Sequence, residues 1–220
     1  MNAARLIWTR YILNASEFWL DLTDQVASLG AQISIPRVNM PPKEIHVLAI
    51  DPGVTTGWAR FTVPRLSIWG NEPSTILRWE TGQLRGRISD QVWETCRLIR
   101  GIQSLTYKIG PAVVCEDFDF GRPLKDPEVY TPVYFAQQLR FCFEKTNLTN
   151  DSLLFMQGRD IAKSSFTDDR LDAAGVWVTR DQSDHERDAL RHGLTALRRA
   201  KRSFKVRCKL WDAKYVVYGE

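Results

Sequence analysis

Cysteine is scarce and scattered in this 220-residue chain: Cys96, Cys115, Cys142 and Cys208 lie far apart and none forms a CxxC pair. That argues against a zinc site and against a secreted disulfide framework, and points to a reducing, cytoplasmic setting. Long hydrophobic runs are missing as well. The N-terminal apolar stretch is broken by Arg5, Arg10, Glu17 and Asp21, so it reads as neither a signal peptide nor a spanning helix, and no membrane partner is expected. No internal repeat and no low-complexity tract is found. Neither sign of charge dominates: 30 Lys and Arg against 26 Asp and Glu leave a formal +4, too little to diagnose a nucleic-acid partner. What is present, 44% hydrophobic and 25% charged residues, suits a folded domain with an appendage.

Residues 3 to 29 carry Leu6, Ile7, Tyr11, Phe18, Leu22 and Val26 at mostly helical spacing, and the three prolines of SIPRVNMPPKE follow. Residues 1–42 are therefore read as a helical extension and linker, and residues 43–220 as the main domain. A chain starting at Met40 is expected to fold without the extension. Ile45–Ile50 reads as a first strand, with Gly57–Val63 and Ile76–Gln83 as antiparallel partners. Residues 88 to 109 read as an amphipathic helix stopped by Gly110-Pro111. AVVCE is a short buried strand of the kind found at the centre of parallel sheets. Residues 130 to 145 read as helix, SLLFMQ as strand, and Ser183 to Ser203 as a last helix. Strands alternating with helices after a meander imply a mixed α/β sheet with helices on its faces. Trp58, Trp69, Trp79 and Trp93 are expected to build the core.

Asp51 ends the first strand and Glu116 ends AVVCE. Ligands gather at the carboxyl ends of strands in open α/β sheets, so the two acids can share one crevice. On the last helix, Asp184, Asp188 and His192 fall in one arc with His185 one position around. Ala189, Leu190, Gly193, Ala196 and Leu197 fill the neighbouring arc, the expected buried face. The helix dipole accounts for acids at Asp184 and Glu186, but poorly for Asp188 and His192 further in. Three carboxylates brought together repel one another and raise their own pKa values unless a cation lies between them. Oxygen-rich clusters of this kind suit Mg²⁺ or Mn²⁺.

VLAIDPGVTTGWA, VVCEDF and HERDALRHGLTAL, taken in order, resemble the three motifs of the RuvC-like branch of the RNase H-like superfamily. The resemblance spans roughly residues 45 to 200 and implies a mixed five-stranded sheet flanked by helices. It implies a homodimeric endonuclease that cuts branched DNA such as four-way Holliday junctions, using two Mg²⁺ ions for which Mn²⁺ can substitute. Carried over by position, Asp51 is the ligand shared by both ions, Glu116 binds one, and Asp188 and His185 complete the site. Phage genomes commonly carry such relatives, which places this chain in a bacterial host's cytoplasm if it is one of them. The Pro-Gly-Val-Thr-Thr-Gly turn is then expected to keep bulk away from a phosphate-sized space beside Asp51.

The chain departs from the pattern in places. Where the family often has an aromatic three residues after the glutamate, Asp119 stands here between Phe118 and Phe120, which are taken as DNA contacts. Strand alternation sets Asp117 and Asp119 on the side opposite Glu116. Lys163 matches a basic residue of the family's DNA-facing region, whose glycine-rich continuation is missing. Residues 180 to 209 hold ten of the thirty Lys and Arg against four acids, and Arg191, Arg198, Arg199, Lys201 and Arg202 are the expected phosphate contacts. Two further readings share these features: a related nuclease acting on structured RNA, and a non-catalytic basic DNA-binding module. DPGVTTG also resembles the phosphate hairpin of actin-like ATPases, but those need two such domains and a second phosphate loop.

Overall fold

The computed structural model describes residues 43–69, 76–105, 110–118, 130–145, 152–176 and 183–211. The extension expected over residues 1–42, and Asp119 and Phe120, lie outside them. The central strand β1 (Glu44–Asp51) is buried from Ile45 onward, as an apolar run enclosed on both faces must be. It turns back into β2 (Thr56–Pro64), which pairs antiparallel with β1 and with β3 (Arg78–Leu84). On its other side β1 pairs parallel with β4 (Ala112–Asp117), and β4 parallel with β5 (Leu153–Gly158). The order β3-β2-β1-β4-β5 is the mixed five-stranded sheet expected for an RNase H-like domain.

Alternation along the strands divides the core in two. Ile45, Val47, Ala49, Ala112, Val114 and Phe155 line one face, and Leu48, Ile50, Val113 and Cys115 the other. A short helix α1 (Leu66–Trp69) follows β2. The second face is covered by α2 (Ile88–Leu105) and α3 (Thr131–Lys145) through Val92, Cys96, Ile99, Phe135 and Leu139. Trp93 on α2 is half-exposed at 51%, contrary to the expectation that it builds the core. Two short helices after β5, α4 (Arg159–Ser165) and α5 (Asp168–Ala173), were not foreseen.

The first face is covered by α6 (Asp184–Arg202). Ser183 caps it, accepting from the Glu186 backbone N–H while the Glu186 carboxylate reaches back to the Ser183 N–H at 2.9 Å, a reciprocal box that fixes where the helix starts. Its buried face includes Ala189, Leu190, Gly193, Ala196 and Leu197, as the helical arc requires. A break at Ser203 starts α7 (Phe204–Leu210), so the basic run is carried by two helices rather than one. Among the described residues no helix is long and apolar enough to cross a membrane.

Candidate metal centre at the strand ends

Register builds the site. Ile50 of β1 pairs with Cys115 of β4, which sets Asp51 beside Glu116 one step further on. Glu116 in turn pairs with Gln157 of β5. All three side chains alternate in phase with Ala49, Val114 and Phe155, so they project from the carboxyl ends of three adjacent strands toward the face that α6 covers. Asp117 points the other way and pairs with Arg140 of α3 at 2.9 Å, as alternation dictates.

The first turns of α6 close over that row. His185 and Asp51 share a hydrogen bond, Nδ1 to Oδ2, of 2.6 Å. The turn between β1 and β2 makes this approach possible. A Cβ at Gly57 would lie 2.2 Å from the carbonyl carbon and oxygen of His185, and one at Gly53 would lie 2.7 Å from His185 Cε1. The glycines of the turn therefore make room for the start of the helix. The turn is held from the far side by the buried Gln91 of α2, which accepts from Thr56 N–H at 3.2 Å and donates to Val54 and Gly86 carbonyls at 3.0 Å.

Asp51, Glu116, Asp188 and His192 are all buried. One donor atom each from Asp51, Glu116 and His192 lies within 4.8 Å of the others, a distance at which the groups interact strongly in a dry setting. Asp188 is turned aside, its carboxylate 2.7 Å from Lys163 Nζ of α4 and also bound by Arg191. Arg191 further binds Asp168 and donates to the Phe166 carbonyl at 3.1 Å. Asp184 is exposed and pairs with Arg187; it takes no part. Phe118 follows β4 half-buried.

Electrostatics separate the acids. Burial pushes the Asp51 carboxyl up to about 8; the His185 contact opposes this, while Glu116 and Asp188 add to it. The hydrogen bond to Asp51 raises His185 against the effect of burial. Burial also works to raise Asp188, but Lys163 and Arg191 outweigh it and the carboxyl lies below its ordinary value. Asp51 thus retains its proton into the neutral range, the state expected of an acid gathered with others to share a cation.

No protein-family model matches the chain, and no curated protein matches it. Among the solved structures similar to it are two of Thermus thermophilus RuvC. One, RuvC in complex with Holliday junction substrate, is 16% identical over 72% of this chain and 96% of that one, with a TM-score of 0.48. The other, RuvC without a stated partner, is 16% identical over 69% and 93%, with a TM-score of 0.45. At that level of likeness the roles of individual residues rest on the geometry of this chain.

Of the residues expected from sequence, the fold brings Asp51, Glu116, His185 and Asp188 to one end of the sheet, with Lys163 and Arg191 against Asp188. Arg198 and Arg202 are exposed; Arg199 and Lys201 are half-buried, Arg199 lying 5.4 Å over the Phe155 ring. Gln157 and Gln91 went unnoticed in the sequence. A lone glutamine has no periodic signal, although Gln157 at the end of SLLFMQ occupied the same strand-end position that marked Asp51 and Glu116.

Proposed function

We propose that this chain is a metal-dependent endonuclease that hydrolyses phosphodiester bonds in branched DNA, four-way junctions included, and that it acts as a homodimer. The observation that carries the reading is the buried pair Asp51 and Glu116 at the strand ends, grouped within 4.8 Å with His192, with burial opposing the charge of Asp51 and His185 of α6 bonded to it. The donor set fits a hard divalent cation: carboxylate oxygens suit Mg²⁺ and Mn²⁺. Asp51 and Glu116 would hold it, with Asp188 and His185 at its margin. Bound there, Mg²⁺ would supply charge stabilisation at a phosphoryl oxygen and a water of lowered pKa.

The chain's own groups divide the remaining work. His185 keeps its ring 42% exposed while touching Asp51; in this reading it would accept a proton from an attacking water, oriented by the carboxylate. Lys163 and Arg191 bring positive charge beside the acids, where a phosphate would otherwise be repelled. The exposed Arg198, Arg202, Lys205 and Lys209 offer salt-sensitive phosphate contacts beyond the site.

The test is cleavage of a four-way junction, a linear duplex and a structured RNA, each with Mg²⁺ and with excess chelator. The expected result is junction cleavage that chelator abolishes, with Asp188→Asn still shifting the junction in a gel without cutting it. Full cleavage in chelator would remove the metal from the reading. Cutting of the RNA but not the junction would transfer the activity to RNA, and binding without cutting by the unaltered chain would leave a DNA-binding module.

A further inference from the structure

We infer that His192 is a positioning residue that holds Glu116 by an Nε2–H donor, its tautomer fixed by Gln157, and that it is not a ligand to the cation. The inference rests on the reading of Asp51 and Glu116 as cation-holding acids and adds to it the group that orients one of them.

The argument starts at Gln157. Its Nε2 lies 3.1 Å from His192 Nδ1 and 3.4 Å from the His192 backbone carbonyl oxygen. A carbonyl oxygen only accepts, so the amide end that faces it must be the NH₂. The same NH₂ meets Nδ1, which must therefore accept too. Turning the amide over would set two acceptor oxygens against each other at the carbonyl, which disfavours the alternative. With Nδ1 accepting, the ring's proton sits on Nε2.

That nitrogen faces the acids. His192 is fully buried, and Nε2 lies 3.7 Å from Glu116 Oε2 with no hydrogen-bond partner closer. A shift of under about 1 Å would bring the pair to ordinary hydrogen-bond length. A nitrogen that carries a proton has no lone pair to give a metal, so proximity within 4.8 Å of the acids does not make His192 a ligand here. Carboxylates that ligate metals are commonly hydrogen-bonded in turn by a neighbouring group that orients them. The strand register supplies the arrangement: Gln157 stands opposite Glu116 on β5, and α6 lays His192 over both. The two histidines of α6 thus differ in kind, His185 half-exposed against Asp51 and His192 sealed behind Glu116.

The experiment is a long-range ¹H–¹⁵N correlation spectrum of the full chain labelled at histidine nitrogens, in chelator and then in excess Mg²⁺. The chain has three histidines, and His46→Gln and His185→Gln assign the signals. The expected spectrum shows His192 protonated at Nε2 and bare at Nδ1 in both conditions, while Mg²⁺ moves the His185 signals. Gln157→Leu should release the ring into a mixture of tautomers and weaken Mg²⁺ binding by calorimetry about tenfold or more. His192→Gln, which keeps an N–H donor, should retain affinity better than His192→Leu. A proton on Nδ1 in the chelated protein, or loss of the Nε2 proton when Mg²⁺ is added, would overturn the inference. Wild-type protein that binds no Mg²⁺ would instead overturn the reading on which it rests, a different result read on a different instrument.

Discussion

Asp51 and Asp188 are the same residue type at the same end of the same sheet, and their surroundings drive them in opposite directions. Asp51 lies between Glu116 and His185, and its carboxyl is pushed up to about 8. Asp188, one helical turn into α6, is met by Lys163 and Arg191, and its carboxyl is held down. Burial raises both carboxyls and is the largest influence on Asp51; the positive charge of Lys163 and Arg191 reverses the direction at Asp188. The strand-end half of the site is short of positive charge and the helical half already has it. Under the proposed reading a cation would offset the charge at the first and would compete with side chains at the second.

The largest effect expected from this contrast is a pair of substitutions. Asp51→Asn and Asp188→Asn should each cut cleavage at least about a hundredfold if both acids serve the same cation. In chelator at pH 8 their stabilities should part. Asp51→Asn removes a carboxylate that the fold resists ionising, and should stabilise the protein by about 1–3 kcal/mol. Asp188→Asn strands Lys163 and Arg191 and should destabilise it by a similar amount. Urea unfolding of both proteins decides the matter; shifts of the same sign would end the comparison.

A smaller effect follows from pH. The unfolded chain releases the Asp51 proton near the ordinary 3.8, whereas the folded chain keeps it to about 8. Between those values the folded state binds more protons, so the stability this group contributes is full below about pH 4 and falls as pH rises toward 8. His185, also raised, slopes the same way above its ordinary 6.5. Chelated wild-type protein should therefore lose up to about 1.4 kcal/mol per pH unit over part of this window. Asp51→Asn should flatten the profile, since it removes both the carboxyl and the partner that raises His185. Excess Mg²⁺ should flatten it too, and a wild-type profile already flat in chelator would contradict the raised Asp51.

Much of this contrast was open to inspection in the sequence, and the reasons are local. Apolar runs that end in an acid, IHVLAID and AVVCE, carry both the strand and the direction of its last side chain, because the period of two is strict. The α6 face was legible because Ala189, Leu190, Gly193, Ala196 and Leu197 leave a clear arc. What was hidden depends on packing between elements distant in the chain. Whether Gly57 makes room for a phosphate or for His185 cannot be read from the turn, since the helix arrives from 128 positions further along. Lys163 reads from the sequence as a DNA contact, and its pairing with Asp188 through α4 is not visible there. His192 shares its arc with Asp188, yet its partner is a glutamine on β5 with no pattern of its own.

The smallest effect probes the cationic half alone. Lys163 Nζ touches Asp188 at 2.7 Å, with the lysine side chain 40% exposed and the carboxylate 11% exposed. Lys163→Met keeps the aliphatic stem and removes the charge, leaving Arg191 to hold Asp188. A pair open to solvent on one side is worth at most about 1 kcal/mol, so the loss should be small and should shrink in high salt. Its pH dependence has the opposite sign to that of Asp51. A depressed carboxyl contributes stability above its ordinary 3.8 and loses it as pH falls through the lower folded value, so the deficit of Lys163→Met should show at pH 7 and fade near pH 3. The same variant tests whether Asp188 belongs with Asp51 at all. Removing a lysine from a carboxylate that shares the cation should tighten Mg²⁺ binding several-fold, because the side chain no longer competes for it. If calorimetry finds the affinity unchanged while stability falls as described, Asp188 is a structural partner of α4, and the cation belongs to Asp51 and Glu116 without it.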